Sequence, residues 1–256
     1  MIVCSETNFP LEFSRLRNSG CRFIFVVDYE MKSLILCPTD ECALNGIFYY
    51  VRGETNASFD TEIKADIMSI FPPDYAEYNF AFEKVMKNIV SGNSYLSNLT
   101  FRSEIETQNS LDDIFISSSA PYKLLIRDKF TVFSPEIFVK INGKEIKTFP
   151  MKGTISSDYP DSLEKLINDE KEQAEHLTVV DLLRNDLGIV CENINVERYR
   201  YAEKISFNDG GIFQTSSEIK GILRNEYYED FGNLLLQILP AGSVTGAPKK
   251  ETISIL

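Results

Sequence analysis

In "IFVKINGKEIKTF" (137–149) two alternating runs meet at Asn142-Gly143. That dipeptide suits a tight hairpin, because the favoured two-residue turns need positive φ. The stretch therefore predicts antiparallel pairing, and strand signals extend outward from it on both sides. Upstream, "YKLLI" (122–126) and "KFTVF" (129–133) form a second pair joined by Arg127-Asp128, and "SYLSNLTFRSEI" (94–105) reads as a further strand. Earlier still, "CRFIFVVDYEMKSLILC" (21–37) and "NGIFYYVR" (45–52) are rich in β-branched and aromatic residues. They read as strands of a meander, so the start of the chain reads as β. Downstream, strands are expected at 194–207 and 211–223.

Helical spacing marks 74–90, where Tyr78, Phe82, Val85, Met86, Ile89 and Val90 fall on one face. It also marks 161–187, closed by Gly188 as the residue just past the helix end, and 229–239. A glycine-bearing loop in "PAGSVTGAPKKETISIL" (240–256) enters a last helix at Pro248. Regular strand–helix alternation, internal repeats and linkers are absent. The expected fold is α+β, with large, mostly antiparallel sheets packed together and helices on the outside. A single domain is expected over 1–256, with a short β portion at 1–73 and a larger portion at 74–256.

Composition narrows the chemistry. The 256 residues carry 38 acidic against 26 basic side chains, a net charge of −12. Nucleic-acid and acidic-membrane partners, which want a basic stripe, are therefore not expected. No apolar run reaches the length of a membrane span, and "MIVCSETNFP" lacks the pattern of a signal peptide, so a cytoplasmic protein is expected. Five cysteines without a CxxC pair fit reduced core thiols. His176 is the only histidine, which disfavours a Ser-His-Asp triad or a multi-histidine metal site.

Charges in unusual places point to the site. On the helix "DSLEKLINDEKEQAEHLTVVDLLRNDLG" (161–188), Glu175 shares a face with Val179 and Leu182, so Glu175 and Asp181 are expected to be buried. A buried carboxylate needs a partner. Either Arg184, Lys171 or backbone groups pair with these acids, or Glu175 holds a hard cation through oxygen. "GSVTGAPKK" (242–250) fails the phosphate-loop pattern, although amides before Pro248 would suit an anion. In "TFPMKGT" (148–154), Lys152 precedes a glycine that lets backbone approach a ligand, and it lies between Glu136 of "SPEIF" (134–138) and the carboxylate helix. An amine, a carboxylic acid and a metal-binding carboxylate together suit acid-assisted displacement on an anionic substrate.

These segments resemble the chorismate-utilising enzymes. "SPEIF", "FPMKGT" (149–154), "NDEKEQAEHLTVVDLLRNDLG" (168–188), "TSSEIKGIL" (215–223) and "PAGSVTGAPKKETISIL" look like that family's signature blocks in order, and "SGNSYLSNLTF" (91–101) is similar to an earlier one. The resemblance covers about residues 75–256. Lysine at 152, where anthranilate and isochorismate synthases usually carry alanine, resembles the aminodeoxychorismate synthase component I subgroup of the folate pathway. It implies that Lys152 adds to C2 of chorismate while Glu136, as general acid, helps expel the C4 hydroxyl, and that ammonia then attacks C4. It further implies Mg2+ on Glu175, substrate contacts from Gly153, Thr154, Ser217 and Gly246, and ammonia from a separate glutaminase subunit.

That chemistry makes opposite demands within one site: Lys152 must be neutral to attack, and Glu136 must be protonated. Two departures from the family pattern are visible. Gln214 stands where many relatives have histidine. The family's later blocks, with a further metal-binding glutamate, an arginine and a tyrosine-x-glycine segment, lie beyond Leu256, so a C-terminally shortened and weakly active chain is expected. The alternatives are an anthranilate synthase component I and a non-catalytic chorismate-binding module.

Overall fold

The structure is a computed structural model that describes residues 1–58, 63–207 and 210–255. The chain divides into two units, Met1–Pro135 with Lys250–Leu256, and Glu136–Lys249. The expected subdivision at 73–74 is not where contacts divide the chain.

In the first unit, β1 (Ile2–Cys4) is followed by helix α1 (Phe9–Asn18), then β2 (Phe23–Val27) and β3 (Leu34–Pro38). The three strands form an antiparallel sheet in the order β1-β3-β2. The all-β reading of the start is thus corrected by α1. Its signals were present: Pro10 lies in the first turn, and Phe9, Phe13 and Leu16 recur at i, i+4 and i+7 and are buried. The meander is corrected as well. β4 (Ile47–Val51) leaves that sheet and joins β5 (Glu54–Thr55), β9 (Tyr122–Ile126) and β10 (Phe130–Ser134) in the order β10-β9-β4-β5. Ile35, Cys37, Cys42, Ile47, Tyr49 and Ile126 form one buried cluster.

Between β5 and β9 run β6 (Ser69–Phe71), α2 (Tyr75–Val90), β7 (Leu96–Ser97), β8 (Glu104–Glu106) and α3 (Leu111–Ser117). α2 matches the expected helix, yet of its residues only Val85 is buried. The strand expected at 94–105 is regular only near its ends. All five cysteines are free thiols.

The second unit holds the hairpin. β11 (Lys140–Asn142) and β12 (Glu145–Thr148) pair with Asn142 opposite Glu145, so the turn is Gly143-Lys144, one residue later than the dipeptide suggests. Gly143 supplies the positive φ of 59°. β13 (Met151–Ser156), α4 (Ser162–Asn168), α5 (Glu170–Val190), β14 (Cys191–Phe207) and β15 (Gly210–Leu223) follow, then α6 (Asn225–Glu229), α7 (Phe231–Ile238) and α8 (Gly242–Thr245). Helix α9 (Lys249–Ile255), after Pro248, belongs from Lys250 onward to the first unit.

β15 organises the second unit. Along one edge it pairs first with β13 and then with β12, and along the other with β14, always antiparallel. Its residues alternate between faces. Thr215, Ser217 and Ile219 point one way and are buried. Glu218 and Lys220 point the other way into an ion-pair network in which Lys147 meets Glu218 at 2.7 Å and Glu197 at 2.9 Å, and Lys220 meets Glu145 at 2.5 Å.

The single long helix expected at 161–187 is two helices. Asp169 is extended, at φ −70° and ψ 113°, and its carboxylate accepts from the Glu172 N–H, starting α5 afresh. Gly188 does not end α5, which runs on to Val190. The Arg224 guanidinium donates to the carbonyls of Gly188 (3.0 Å) and Ile189 (2.7 Å), meeting the need that a glycine cap would otherwise serve. Asp181, expected to be buried, is exposed and pairs with Arg184. The packed face runs through His176, Val179, Val180, Leu183, Leu187 and Val190, whereas Leu163, Ile167 and Leu177 are exposed.

Because Ile219 is completely buried at the centre of this sheet, Ile219→Ala should lower unfolding free energy by about 2–5 kcal/mol. Urea denaturation checks this, and a loss below about 1 kcal/mol would show a site that collapses around the cavity.

Candidate active site

Lys152 lies on β13 opposite Thr215, and directly paired residues share a face, so its side chain is on the side that α5 covers. Its Nζ stands 3.7 Å from Glu175 Oε2, while Glu175 Oε1 meets Lys171 Nζ at 2.8 Å. Lys171 first, and then the charge of Lys152, hold the Glu175 carboxyl below its ordinary range. Glu175 is half-buried rather than buried, its side chain 34% exposed.

Gly153 makes the local shape. The register shifts between Lys152 and Thr154, a bulge, and Gly153 takes φ +80°. A Cβ there would lie 2.9 Å from Glu172 Oε2 and 3.3 Å from Leu166 Cδ1. Both the conformation and the space require glycine. The same bulge separates two expected site residues: Thr154 pairs with Gln214, which alternates with Thr215, so Thr154 faces away from the Lys152 side.

Ser217 is also differently employed than expected. Its N–H donates to the Pro150 carbonyl at 3.0 Å. Its buried hydroxyl lies 2.7 Å from His176 Nε2 and accepts from the Arg200 N–H at 2.9 Å. The residue therefore sits within the core beneath Lys152.

Glu136 opens the second unit, and burial pushes its carboxyl up to about 7. Ile137 and Phe138 beside it are half-buried. The segment is tied to the strand that leads to Lys152, since the Thr148 hydroxyl donates to the Phe138 carbonyl at 2.7 Å.

The loop with Gly246 is anchored from α5. Asp186, the acid that is buried, accepts from the Gly242 N–H at 2.8 Å and pairs with Lys249 Nζ at 2.9 Å. A Cβ on Gly242 would lie 2.7 Å from Leu182 Cγ, so α8 packs tightly on α5. Gly246 itself is buried at φ +119°. Asp186 and Lys249 were not singled out in the sequence. The signal for Asp186 was its place three and four residues beyond Leu183 and Leu182 on the apolar face.

With this arrangement in view, the comparisons with known proteins are specific. The profile of a family described as "chorismate binding enzyme" matches residues 51–256. The chain belongs to that family. An uncharacterized PabA-like protein of Pasteurella multocida is 44% identical over 236 residues, which span 91% of this chain and 73% of that protein. Aminodeoxychorismate synthase component 1 of Bacillus subtilis is 31% identical over 219 residues, 79% of this chain and 45% of that one. Among solved structures, the menaquinone-specific isochorismate synthase of Escherichia coli superposes with a TM-score of 0.70 at 13% identity, covering all of this chain and 67% of its own. The α+β fold of a chorismate-binding enzyme follows.

As a metal ligand from this chain, Glu175 offers one ionised carboxylate. Among the described residues no group of three or more His, Cys, Asp or Glu side chains is placed to hold a metal ion. A magnesium ion usually takes one or two carboxylates and completes its shell with water and substrate oxygens, so the donor set fits that cation. Lys171, which pairs with Glu175, is 74% exposed and has room to swing away.

Two measurements follow from these side chains. Asp186→Ala leaves Lys249 largely buried without its partner and should cost about 3 kcal/mol in urea unfolding. For Glu136, the folded carboxyl near 7 binds its proton more tightly than an ordinary carboxyl near 4.5. Between those values the folded state holds more protons, so stability falls as pH rises through the window. Glu136→Gln should flatten that slope when denaturation midpoints are compared across about pH 5 to 7.5. An unchanged slope would mean the carboxyl titrates normally.

Proposed function

We propose that this chain is a component I of aminodeoxychorismate synthase, converting chorismate and ammonia to 4-amino-4-deoxychorismate. The observation that carries the reading is a lysine amine on the face covered by α5, beside a carboxylate, at the position where the resemblance expects a nucleophile. Lys152 next to the Gly153 bulge has both features. The 31% identical Bacillus subtilis relative bears the name of that enzyme. The likeness to an isochorismate synthase supports the shared fold and leaves the product to the chemistry of residue 152.

In this reading the Lys152 amine forms a bond to C2 of chorismate. The ring double bonds shift, the C4–O bond breaks, and Glu136 delivers its proton so that the hydroxyl leaves as water. Ammonia then bonds to C4, the double bonds shift back, and the lysine departs as an amine. A carboxyl near 7 suits Glu136 for this work, because it still holds a proton near neutrality and gives it up readily. Magnesium on Glu175 would neutralise the substrate's ring carboxylate. Gly153, Thr154 and Gly246 are assigned to the substrate through backbone groups, with Ser217 behind them.

Ammonia is assigned to a separate glutaminase subunit. What supports this is the name of the Bacillus subtilis relative, which is component 1 of its synthase. A cytoplasmic setting for folate synthesis is inferred alongside. Among the described residues no helix is long and apolar enough to cross a membrane.

The decisive assay supplies chorismate, an ammonium salt and magnesium, and identifies the product by mass. Aminodeoxychorismate from the parent chain and none from Lys152→Ala are expected. Anthranilate as the product, or full activity without the lysine, would reject the reading. With the parent enzyme, kcat/KM should decline as pH rises past about 7, as Glu136 loses its proton.

A further inference from the structure

The chain's only histidine is a buried titratable group that the proposed chemistry leaves unused. His176 is wholly buried, with the Tyr199 ring edge-on to it at 5.7 Å between centroids. Its Nε2 lies 2.7 Å from Ser217 Oγ. On the other side Nδ1 lies 3.4 Å from Thr215 Oγ1, which itself donates to the Lys152 carbonyl.

These contacts determine where the ring proton sits. A neutral imidazole has one N–H and one acceptor nitrogen, and burial favours the neutral form here. The Thr215 hydroxyl directs its hydrogen at the Lys152 carbonyl, so its oxygen accepts and Nδ1 carries the ring hydrogen. Nε2 must then accept, and the Ser217 hydroxyl supplies that hydrogen while its oxygen takes the Arg200 N–H at 2.9 Å. With this assignment both ring nitrogens and both hydroxyls have partners.

We propose that His176 is a positioning residue: the chain Arg200 N–H, Ser217 O–H, His176 Nδ1–H, Thr215 O–H fixes the Lys152 carbonyl and so aims the Lys152 side chain at Glu175. The inference rests on the reading that the Lys152 amine reacts. Its logic is one of leverage. The Gly153 bulge interrupts the strand ladder next to Lys152, so side chains must take over the duty of regular pairing there. Neighbouring residues of α5 do this from two directions, Glu175 at the amine and His176, through the Thr215 hydroxyl, at the carbonyl.

Three variants separate positioning from bulk. His176→Asn keeps an amide donor near the place of Nδ1, His176→Gln carries its amide out toward Ser217, and His176→Leu keeps volume without polarity. Nitrogen chemical shifts of the single imidazole in the parent chain should show a protonated Nδ1 and a bare Nε2. In the chorismate and ammonium assay, His176→Gln and His176→Leu should lose kcat roughly 10- to 100-fold with KM changed less than about threefold, and His176→Asn should recover most of the loss. The labelling rate of Lys152 by an amine-reactive reagent, read by peptide mass, should follow the same order. A protonated Nε2, equal losses in the Asn and Gln variants, or losses that only track the folded fraction would overturn the proposal. If the parent chain turns over no chorismate, the functional reading fails, while the ring shifts and the labelling order still decide the role of His176.

Discussion

Where α5 crosses β13 and β15 it buries an imidazole and two hydroxyls beside its apolar side chains, and each such group costs a few kcal/mol if it lacks a partner. That cost is what makes the contact specific. Apolar side chains tolerate small slides, whereas His176, Ser217 and Thr215 are satisfied together in a single register of helix against sheet. Once that register is set, Glu175 can only stand beside Lys152, and the Lys152 backbone is held on its far side. The polar contact thus links sheet pairing, helix placement and the candidate chemistry.

Two arginines extend the same control to the helix ends. Arg200 donates to the Leu166 carbonyl at 2.7 Å and the Ile167 carbonyl at 2.5 Å, closing α4 just before Asp169 starts α5. Arg224 closes α5 in the same manner. A guanidinium presents several fixed donors at once, which suits two adjacent carbonyls better than one ammonium would. Both arginines come from the strand system, Arg200 from β14 and Arg224 just past β15. The sheet therefore dictates where the helices stop, and the local sequence of the helices does not.

This explains what could be read from the residues and what could not. Hairpin β11–β12, the pair β9–β10 and strands β14 and β15 were legible because alternation and turn chemistry are local. The helix break at Asp169 and the continuation through Gly188 were not, because their causes lie at Arg200, 33 and 34 residues from the carbonyls it caps, and at Arg224, 35 and 36 residues from its own. Lys152, Gly153, Glu136 and Glu175 were found as candidates from their types and order. The burial of Asp181 was misjudged, since a periodic pattern does not say which part of a wide apolar arc meets the sheet. His176 was noted only as a reason against triads. Its neighbourhood of two hydroxyls and a carbonyl depends on strand register, which no local pattern reveals.

The electrostatics of the proposed reaction close on Glu175. A protein of net charge −12 that takes an anionic substrate needs local cations, and Lys249 is already matched by Asp186. Lys152 and Lys171, both at Glu175, remain near the candidate site. The Lys152 amine stands 3.7 Å from the Glu175 carboxylate. A divalent cation held by Glu175 would supply, from the side of that carboxylate, the positive charge that the substrate's ring carboxylate needs. In the proposed function Glu175 would thus serve two purposes from one position on α5: it faces the Lys152 amine, and it would hold the cation that offsets the substrate's charge.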